Sequence, residues 1–393
     1  MKRIVSVLCV LMLLFSFAAC SDGDSSVGTD TASFASVGNS TEVSSSGGSV
    51  LSSDRSDAAT DVPSTDKPST EPSNEPPAPI AGKLMAITDQ KNNEVIVVNL
   101  DAEDLTADSA VVWKWSVNTV GDVPSANLCN NRLDDVKLRD CAAWGGTVVG
   151  MTSSSGMVAV VKYPSGECLF SADMRGYGPH SIEILPNGLI AVAGSGNGKD
   201  EKAVIRIYRA TSKTDGRYVE LPLESAHGVV YDPTLDVLWG LGGKTLNAYK
   251  VGGSREEPTL TLFQETGLSF SGGHDLSPVY EDPDLLWISV SNKVYQYSKS
   301  KNKLSEKYQG SNAISQKGVK SINSYSDRVV VMTVADAKNG TAAHNTDKVR
   351  IFRYTQTATG ISLYKYVDIA FDGSNGTVAR DFYKVRAFVA NYQ

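Results

Sequence analysis

The chain has 393 residues, of which 41% are hydrophobic and 21% charged, and its formal net charge is −7. The acidic excess lies in residues 21–82, which leaves residues 83–393 with a net charge of about −1. A nearly neutral folded part lacks the basic field that attracts nucleic acid, so we expect no nucleic-acid partner.

Residues 1–20 have the pattern of an export signal. Lys2 and Arg3 precede an apolar run that is too short to span a membrane and ends in small residues. The ending "FAAC" resembles the lipobox of bacterial lipoproteins, although Phe17 stands where a lipobox usually has leucine. This resemblance implies cleavage before Cys20 and its lipidation, and the alternative is a plain secretory signal. We expect an exported protein whose lipid anchors it to a bacterial membrane, at the outer membrane or cell surface.

Residues 21–82 form a polar segment with 16 Ser, 6 Thr and 6 Pro, and Phe34 is their only aromatic residue. Such a segment buries too little apolar surface to offset its conformational entropy. The sequence therefore predicts a disordered linker between the signal and a domain over residues 83–393.

Three cysteines remain in that domain, Cys129, Cys141 and Cys168, and their spacing does not fit a metal site. Because exported proteins keep disulfides, we expect one bridge among the three. A bridge between Cys129 and Cys141 would close a short loop, but the sequence does not decide the pairing.

The domain repeats with a period of 47 residues, which is the spacing that separates His180, His227 and His274. Each unit reads as four short strands with turns between them, as in "HSIEIL", "LIAVAGSG", "AVIRIYRA" and "YVELPL". Four-stranded units of 40–50 residues are typical of β-propeller blades. Further units begin near residues 135 and 318, and Trp239 and Trp287 fall on equivalent second strands.

The first unit, which begins with "KLMAITDQ", supplies only three strands, and we expect "FYKVRAFVANYQ" at the C-terminus to supply its inner strand. Closure by a terminal strand also removes an exposed sheet edge. The prediction is an all-β, six-bladed propeller. The phrase "HGVVYDPTLDVLWG" resembles an uncharacterised bacterial family of secreted six-bladed propellers of unknown function, and the resemblance implies the fold but no reaction.

A basic residue recurs near the start of every predicted inner strand. Aligned on the histidines, the six positions are Lys137, His180, His227, His274, Lys320 and Lys384. Side chains two residues apart share a face of a strand, which adds Arg139 and Arg386 to the same lining. Because inner strands line the axis, we expect these eight residues at one axial mouth. Asp135, Asp140, Glu183, Asp275 and Asp381 are available as counter-charges.

Several functions fit this lining, and the fold does not choose among them. The first is binding of an anionic ligand, such as an acidic glycan fragment, by a monomeric protein with no cofactor. The second is a lyase or hydrolase of acidic sugars that uses His180, His227 or His274 as its base. The third is a protein-interaction scaffold with a solvated channel. The three histidines could instead bind a divalent metal such as Zn²⁺. We expect the fourth histidine, His344, to be exposed in a polar insertion.

Overall fold

The computed structural model describes residues 82–119, 122–336, 343–356, 362–370 and 379–393. The predicted signal peptide, the lipidation site Cys20 and the predicted linker up to residue 81 lie outside this part of the chain. Within it, no helix is long and apolar enough to cross a membrane.

Six four-stranded antiparallel sheets make up the fold, and each extends from an inner strand at the axis to an outer strand at the rim. In that order, blade 1 has β24 (Phe382–Ala387), β1 (Leu84–Asp89), β2 (Glu94–Asn99) and β3 (Val111–Ser116). Blade 2 has β4 (Leu133–Cys141), β5 (Gly146–Ser153), β6 (Met157–Lys162) and β7 (Cys168–Asp173). Blade 3 has β8 (Pro179–Ile184), β9 (Ile190–Ser195), β10 (Ala203–Tyr208) and β11 (Tyr218–Pro222).

Blade 4 has β12 (Gly228–Asp232), β13 (Val237–Leu241), β14 (Thr245–Gly253) and β15 (Pro258–Gly267). Blade 5 has β16 (Gly273–Pro278), β17 (Leu285–Val290), β18 (Val294–Ser298) and β19 (Lys303–Ser305). Blade 6 has β20 (Val319–Ser324), β21 (Val330–Val334), β22 (Lys348–Gln356) and β23 (Ser362–Ala370). A single-turn helix, α1 (Ser311–Ile314), precedes β20, and five 3₁₀ turns lie in loops. The predicted six-bladed propeller is confirmed.

Blade 1 closes the ring as predicted, because β24 pairs antiparallel with β1. Arg380, just before β24, bonds Asp89 at 3.0 Å and Glu94 at 2.8 Å and so fixes the closing strand to the N-terminal strands. Inner strands of neighbouring blades contact one another around the whole ring, β24 included.

The apolar core is divided among the blade interfaces. Each of six buried clusters joins side chains of two neighbouring blades, as where Val136 and Val149 of blade 2 pack with Val95, Val97 and Trp115 of blade 1. Complete burial of one such aliphatic side chain contributes about 1.5–3 kcal/mol. The interfaces therefore hold the blades in a fixed ring, and with it the register of the inner strands around the axis.

The two ends of the axis differ. The inner strands all run in the same direction, from an end that we call the histidine end to the opposite tail end. At the tail end, residues 388–393 cross beneath the inner strands: Asp140 N–H bonds Ala390 O at 3.1 Å, and the Tyr392 hydroxyl bonds Ile184 O at 2.6 Å. The Gln393 amide donates to three carbonyl oxygens of blade 5 and its neighbouring loop. The tail therefore covers this end of the axis.

The three cysteines are buried as free thiols, so the predicted disulfide is wrong. Cys141 lies in the cluster between blades 2 and 3, whereas Cys129 and Cys168 lie in the cluster between blades 1 and 2. Burial raises the pKa of the Cys129 thiol to about 12, which keeps it in the unreactive protonated form. These cysteines behave as small apolar core residues.

A histidine-lined mouth above an axial ion network

A bulge near the start of the inner strands sets the register of the mouth. In blades 3, 5 and 6 the strand pairing shifts at His180, His274 and Lys320, so each of these residues is an extra residue without a partner on the second strand. A bulge turns its side chain out of the regular alternation, and such bulges are common next to functional sites.

The residue after the bulge joins each blade to the next one. Ser181 Oγ accepts from Val229 N at 3.3 Å, Asp275 from Ile322 N at 3.1 Å, and Ser321 Oγ from Val385 N at 2.8 Å. Asp135 accepts from Ile182 N at 3.3 Å in the same way. The donors Ile182, Ile322 and Val385 directly follow Ser181, Ser321 and Lys384. The bonds therefore identify one equivalent position in each of these blades, occupied by Asp135, Ser181, Asp275, Ser321 and Lys384.

This register corrects two predicted positions. In blade 2 the bulged residue is Asp134, and Lys137 lies three residues further along the strand. In blade 1 Thr88 lies opposite both Tyr383 and Lys384. Its hydroxyl hydrogen-bonds the backbone N–H and C=O of Lys384, so Tyr383 is the bulged residue. The mouth is therefore not ringed by six basic residues. In blade order, the residues around the mouth are Tyr383, Asp134, His180, His227, His274 and Lys320.

The imidazoles of the mouth form a continuous group across blades 3, 4 and 5. His180 and His227 stack with ring centroids 4.5 Å apart and planes within 10°, and His227 meets His274 edge-on at 5.6 Å. All three side chains are half-buried, and 16% of the His180 side chain is exposed. Lys320 and Asp134, at either end of this arc, are buried.

Hydrogen bonds at Nδ1 orient two of the rings. His180 Nδ1 lies 3.1 Å from a carboxylate oxygen of Asp134, and His227 Nδ1 lies 2.8 Å from Ser225 O. Both partners accept hydrogen bonds, so each Nδ1 carries the proton and each neutral ring keeps Nε2 as an acceptor. His274 Nδ1 is buried without a hydrogen-bond partner in the described part of the chain.

Burial keeps two of the rings neutral. It lowers the pKa of His227 well below 6.5, and the neighbouring His180 and His274 add to this effect. Burial also lowers the pKa of His274 to about 3, with further contributions from Lys320 and His180. At neutral pH the imidazoles of His227 and His274 are therefore uncharged.

His344 is half-buried, contrary to the expectation that it is exposed, and its charge would oppose that of His274. All four histidines of the chain therefore lie at the histidine end. The spacing of 47 residues shows only three of them, because His344 belongs to an insertion between β21 and β22 and not to the repeat.

Below the mouth, Arg386 is the hub of a buried ion network. Its guanidinium bonds Asp135 at 2.7 Å and both oxygens of Asp275 at 2.6 and 2.7 Å, reaching blades 2 and 5 from blade 1. Lys384 lies 3.2 Å from Asp275 and donates to His180 O at 3.1 Å. These contacts cross the axis and fill it with paired charges.

A second part of the network lies closer to the tail end. Arg139 bonds both oxygens of Glu183, at 2.7 and 2.9 Å, and its guanidinium lies 5.0 Å from the centre of the Tyr392 ring. Lys137 lies 3.5 Å from Glu183 and donates to Val229 O. Burial lowers the pKa of Lys137 to about 8, although Glu183 and Asp135 oppose the shift.

The network divides the predicted lining into two kinds of residue. Lys137, Arg139, Lys384 and Arg386 are buried against Asp135, Glu183 and Asp275, three of the counter-charges expected from the sequence. The exposed edge of the lining comes from His180, His227 and His274, with Lys320 beside them. Four cations against three carboxylates leave one positive charge in excess below the mouth.

The arrangement of the imidazole rings decides whether they can bind one metal ion together. Imidazoles that bind a metal usually donate their second N–H to a carboxylate or carbonyl, as His180 and His227 do. However, nearly parallel stacked rings have lone pairs that do not converge on one ion. Among the described residues, no group of three or more His, Cys, Asp or Glu side chains is arranged to hold a metal.

These features define a six-bladed β-propeller whose axis is filled by an ion network and whose histidine end forms a shallow mouth. The chain belongs to a family of unknown function, DUF6528, whose model matches residues 56–366. This agrees with the resemblance carried by "HGVVYDPTLDVLWG". A search of curated proteins gave no match.

Solved structures with a similar fold are distant in sequence. A putative 6-phosphogluconolactonase from Bacteroides uniformis is 12% identical, with 79% of this chain and 98% of that chain covered and a TM-score of 0.46. A functionally unknown protein from Desulfotomaculum acetoxidans is 11% identical, with 73% and 95% covered and a TM-score of 0.44. Hydrazine synthase from Kuenenia stuttgartiensis is 13% identical, with 60% and 66% covered and a TM-score of 0.39. None of the three bears on the function of this chain.

Proposed function

We propose that this propeller binds a small anionic ligand, such as an acidic glycan fragment, at its histidine mouth. In this proposal a lipid at Cys20 anchors the monomeric protein to the outer membrane or cell surface. The supporting observation is that three half-buried imidazoles and Lys320 meet at one end of the axis, whereas the chain's own tail covers the other end.

Lys320 is the cation that tests the proposal. Lys137 and Lys384 are built into the buried network, so their removal would unfold the axis as well as change binding. Lys320→Met should weaken binding of an anionic sugar at least tenfold, measured by titration calorimetry in low salt with the full-length chain in detergent. A ligand at a hundred times its Kd should also stabilise the unsubstituted protein by about 2.7 kcal/mol.

The matched control is Lys301→Met, because Lys301 is an exposed lysine in the β18–β19 turn at the tail end. It should bind as the unsubstituted protein does. Equal affinities for the Lys320 and Lys301 variants, or no binding of any anionic sugar, would overturn the proposal and favour the scaffold.

A second candidate function is supported by the contact between His180 and Asp134. A carboxylate at Nδ1 orients the ring of His180 and fixes the tautomer in which Nε2 can take a proton from a substrate, as a general base requires. His180 is therefore the candidate base for a lyase or hydrolase of acidic sugars, a choice that the sequence left open among three histidines. His180→Ala should abolish product formation, while Lys301→Met, outside the mouth, should keep it. Turnover that survives in His180→Ala excludes His180 as the base.

A further inference from the structure

Two imidazole nitrogens of the mouth have a fixed hydrogen-bonding role. Because Nδ1 of His180 is bonded to Asp134 and Nδ1 of His227 to Ser225 O, the neutral form of each ring has Nε2 as its acceptor. The rings stack across the boundary between blades 3 and 4, so they form one wall of the mouth. His274, beside them, has a buried Nδ1 with no hydrogen-bond partner among the described residues.

These acceptors constrain the ligand in a way that Lys320 does not. A carboxylate or a sulfate ion offers only lone pairs, which repel the lone pair of a neutral imidazole nitrogen. A hydroxyl group, by contrast, donates its proton to such a nitrogen. The wall formed by His180 and His227 is therefore complementary to hydrogen-bond donors, whereas Lys320 is complementary to an anion.

We propose that the ligand is a sugar acid, with neighbouring hydroxyl groups that donate to Nε2 of His180 and of His227 and an acid group held near Lys320. This inference rests on the proposed anion-binding function and adds the second chemical group that the ligand must carry. It excludes sulfate and simple carboxylates as the true ligands, because these have no hydroxyl groups to satisfy the imidazole wall. The larger number of directed bonds gives selectivity, since a site built for a hydroxyl rejects analogues that lack it.

The experiment compares ligands that carry one chemical group or both. Titration calorimetry with the full-length chain in detergent uses D-galacturonate, D-glucuronate and D-mannuronate as sugar acids. The matched neutral hexoses carry hydroxyl groups alone, and cyclohexanecarboxylate and inorganic phosphate carry charge without the sugar hydroxyls. At least one sugar acid should bind ten times more tightly than its neutral hexose and than cyclohexanecarboxylate.

His180→Phe and His227→Phe keep an aromatic ring in the stack but remove the nitrogen acceptors. Each should lower the affinity for the sugar acid at least tenfold and leave that for cyclohexanecarboxylate unchanged. Lys320→Met should weaken both, and Lys301→Met neither. If a phenylalanine variant does not fold, which its circular dichroism would show, the ligand comparison on the unsubstituted protein decides alone.

The outcomes separate this inference from the proposed function. If cyclohexanecarboxylate binds as tightly as the sugar acids, the anion site stands and the hydroxyl inference is overturned. If neutral hexoses bind as tightly as their acids, the imidazole wall stands and the anion site is overturned. If no compound of the set binds, both are overturned.

Discussion

Replacing Arg386 with methionine should destabilise the propeller by about 3–5 kcal/mol, the range expected when one partner of a buried ion pair is removed. Arg386 is buried and satisfies one oxygen of Asp135 and both oxygens of Asp275. Burial alone would raise the pKa of both carboxyls, but the charges of Arg386 and Lys384 outweigh it and hold each pKa below its usual range. Without Arg386, two carboxylates in the axis lose their main counter-charge.

The measurement is chemical denaturation at neutral pH, with Arg175→Met as the matched control. Arg175 pairs with Asp173 on the surface, where solvent screens the charges and an exposed ion pair contributes little to stability. In the double variant Arg386→Met, Asp135→Asn, stability should recover in part, because Asp275 keeps Lys384 as its counter-charge and the asparagine at position 135 carries no charge. A single variant as stable as the Arg175 control would show that water satisfies the two carboxylates.

The blade count and the closing strand were predictable because both depend on properties that repeat along the chain. Alternating apolar residues at a period near 47 define the strands of blades 3, 4 and 5, and β1–β3 lack only an inner strand. Once five complete units are counted, "FYKVRA" is the segment left to fill the gap. The packing of inner strands around the axis then follows from the fold itself.

The register of the mouth was only partly predictable, because a bulge leaves no mark in the alternation of apolar and polar residues. At His180, His227 and His274 the rare residue type showed the position, and Lys320 followed from alignment with them. In blade 2 the equivalent residue is Asp134, which has no such mark, and Lys137 three residues later was aligned in its place. The rule that residues two apart share a face held nonetheless, since Lys137 and Arg139 both contact Glu183.

Contacts between segments far apart in sequence were not predictable. The tail crosses the axis below Arg139, and hydrogen bonds from Tyr392 and Gln393 to carbonyl groups of blades 3 and 5 hold it there. Spacing also misled the disulfide prediction, because Cys129 and Cys141 are twelve residues apart but face different blade interfaces. The division of the eight predicted residues into a buried network and a half-buried mouth likewise needs three-dimensional coordinates.

The network changes the physical basis of ligand binding from the one expected. The converging basic residues were expected to need a negative partner, either a bound anion or acidic side chains, and the structure supplies it from Asp135, Glu183 and Asp275. The mouth therefore does not need a ligand to balance these charges, and in the proposed function Lys320 and imidazole nitrogens hold the ligand. Binding should then depend less on salt than a site of six unpaired cations would.

Acid should destabilise the protein well before its carboxylates titrate, and His274 should account for a large part of this effect. The pKa of His274 is about 3 in the folded protein but near 6.5 in the unfolded chain, so between these values only the unfolded chain takes up the proton. Stability therefore falls as the pH is lowered through this window, by up to about 1.4 kcal/mol per pH unit for each such histidine. His227, whose pKa is also lowered, adds to the slope.

The surroundings of both rings oppose their protonation. His274 has Lys320, His180, Lys384 and His344 near it, and His227 has His180, His274 and Lys384, with Ser225 O as its one favourable contact. Between pH 7 and pH 5 the unsubstituted protein should lose up to about 2 kcal/mol through His274 alone. The free energy of unfolding in urea, measured at several pH values, gives the slope directly.

His274→Gln removes the titrating group, so the protein should then lose up to about 2 kcal/mol less stability between pH 7 and pH 5. Lys301→Gln is the control, because Lys301 is exposed and lysine does not titrate in this range, and its slope should match that of the unsubstituted protein. The carboxylates act in a separate window: the pKa values of Asp135, Glu183 and Asp275 are lowered, so the stability they provide is lost only below about pH 4. A slope between pH 7 and pH 5 that persists unchanged in both His274→Gln and His227→Gln would mean that these imidazoles already exchange protons freely with solvent at the mouth.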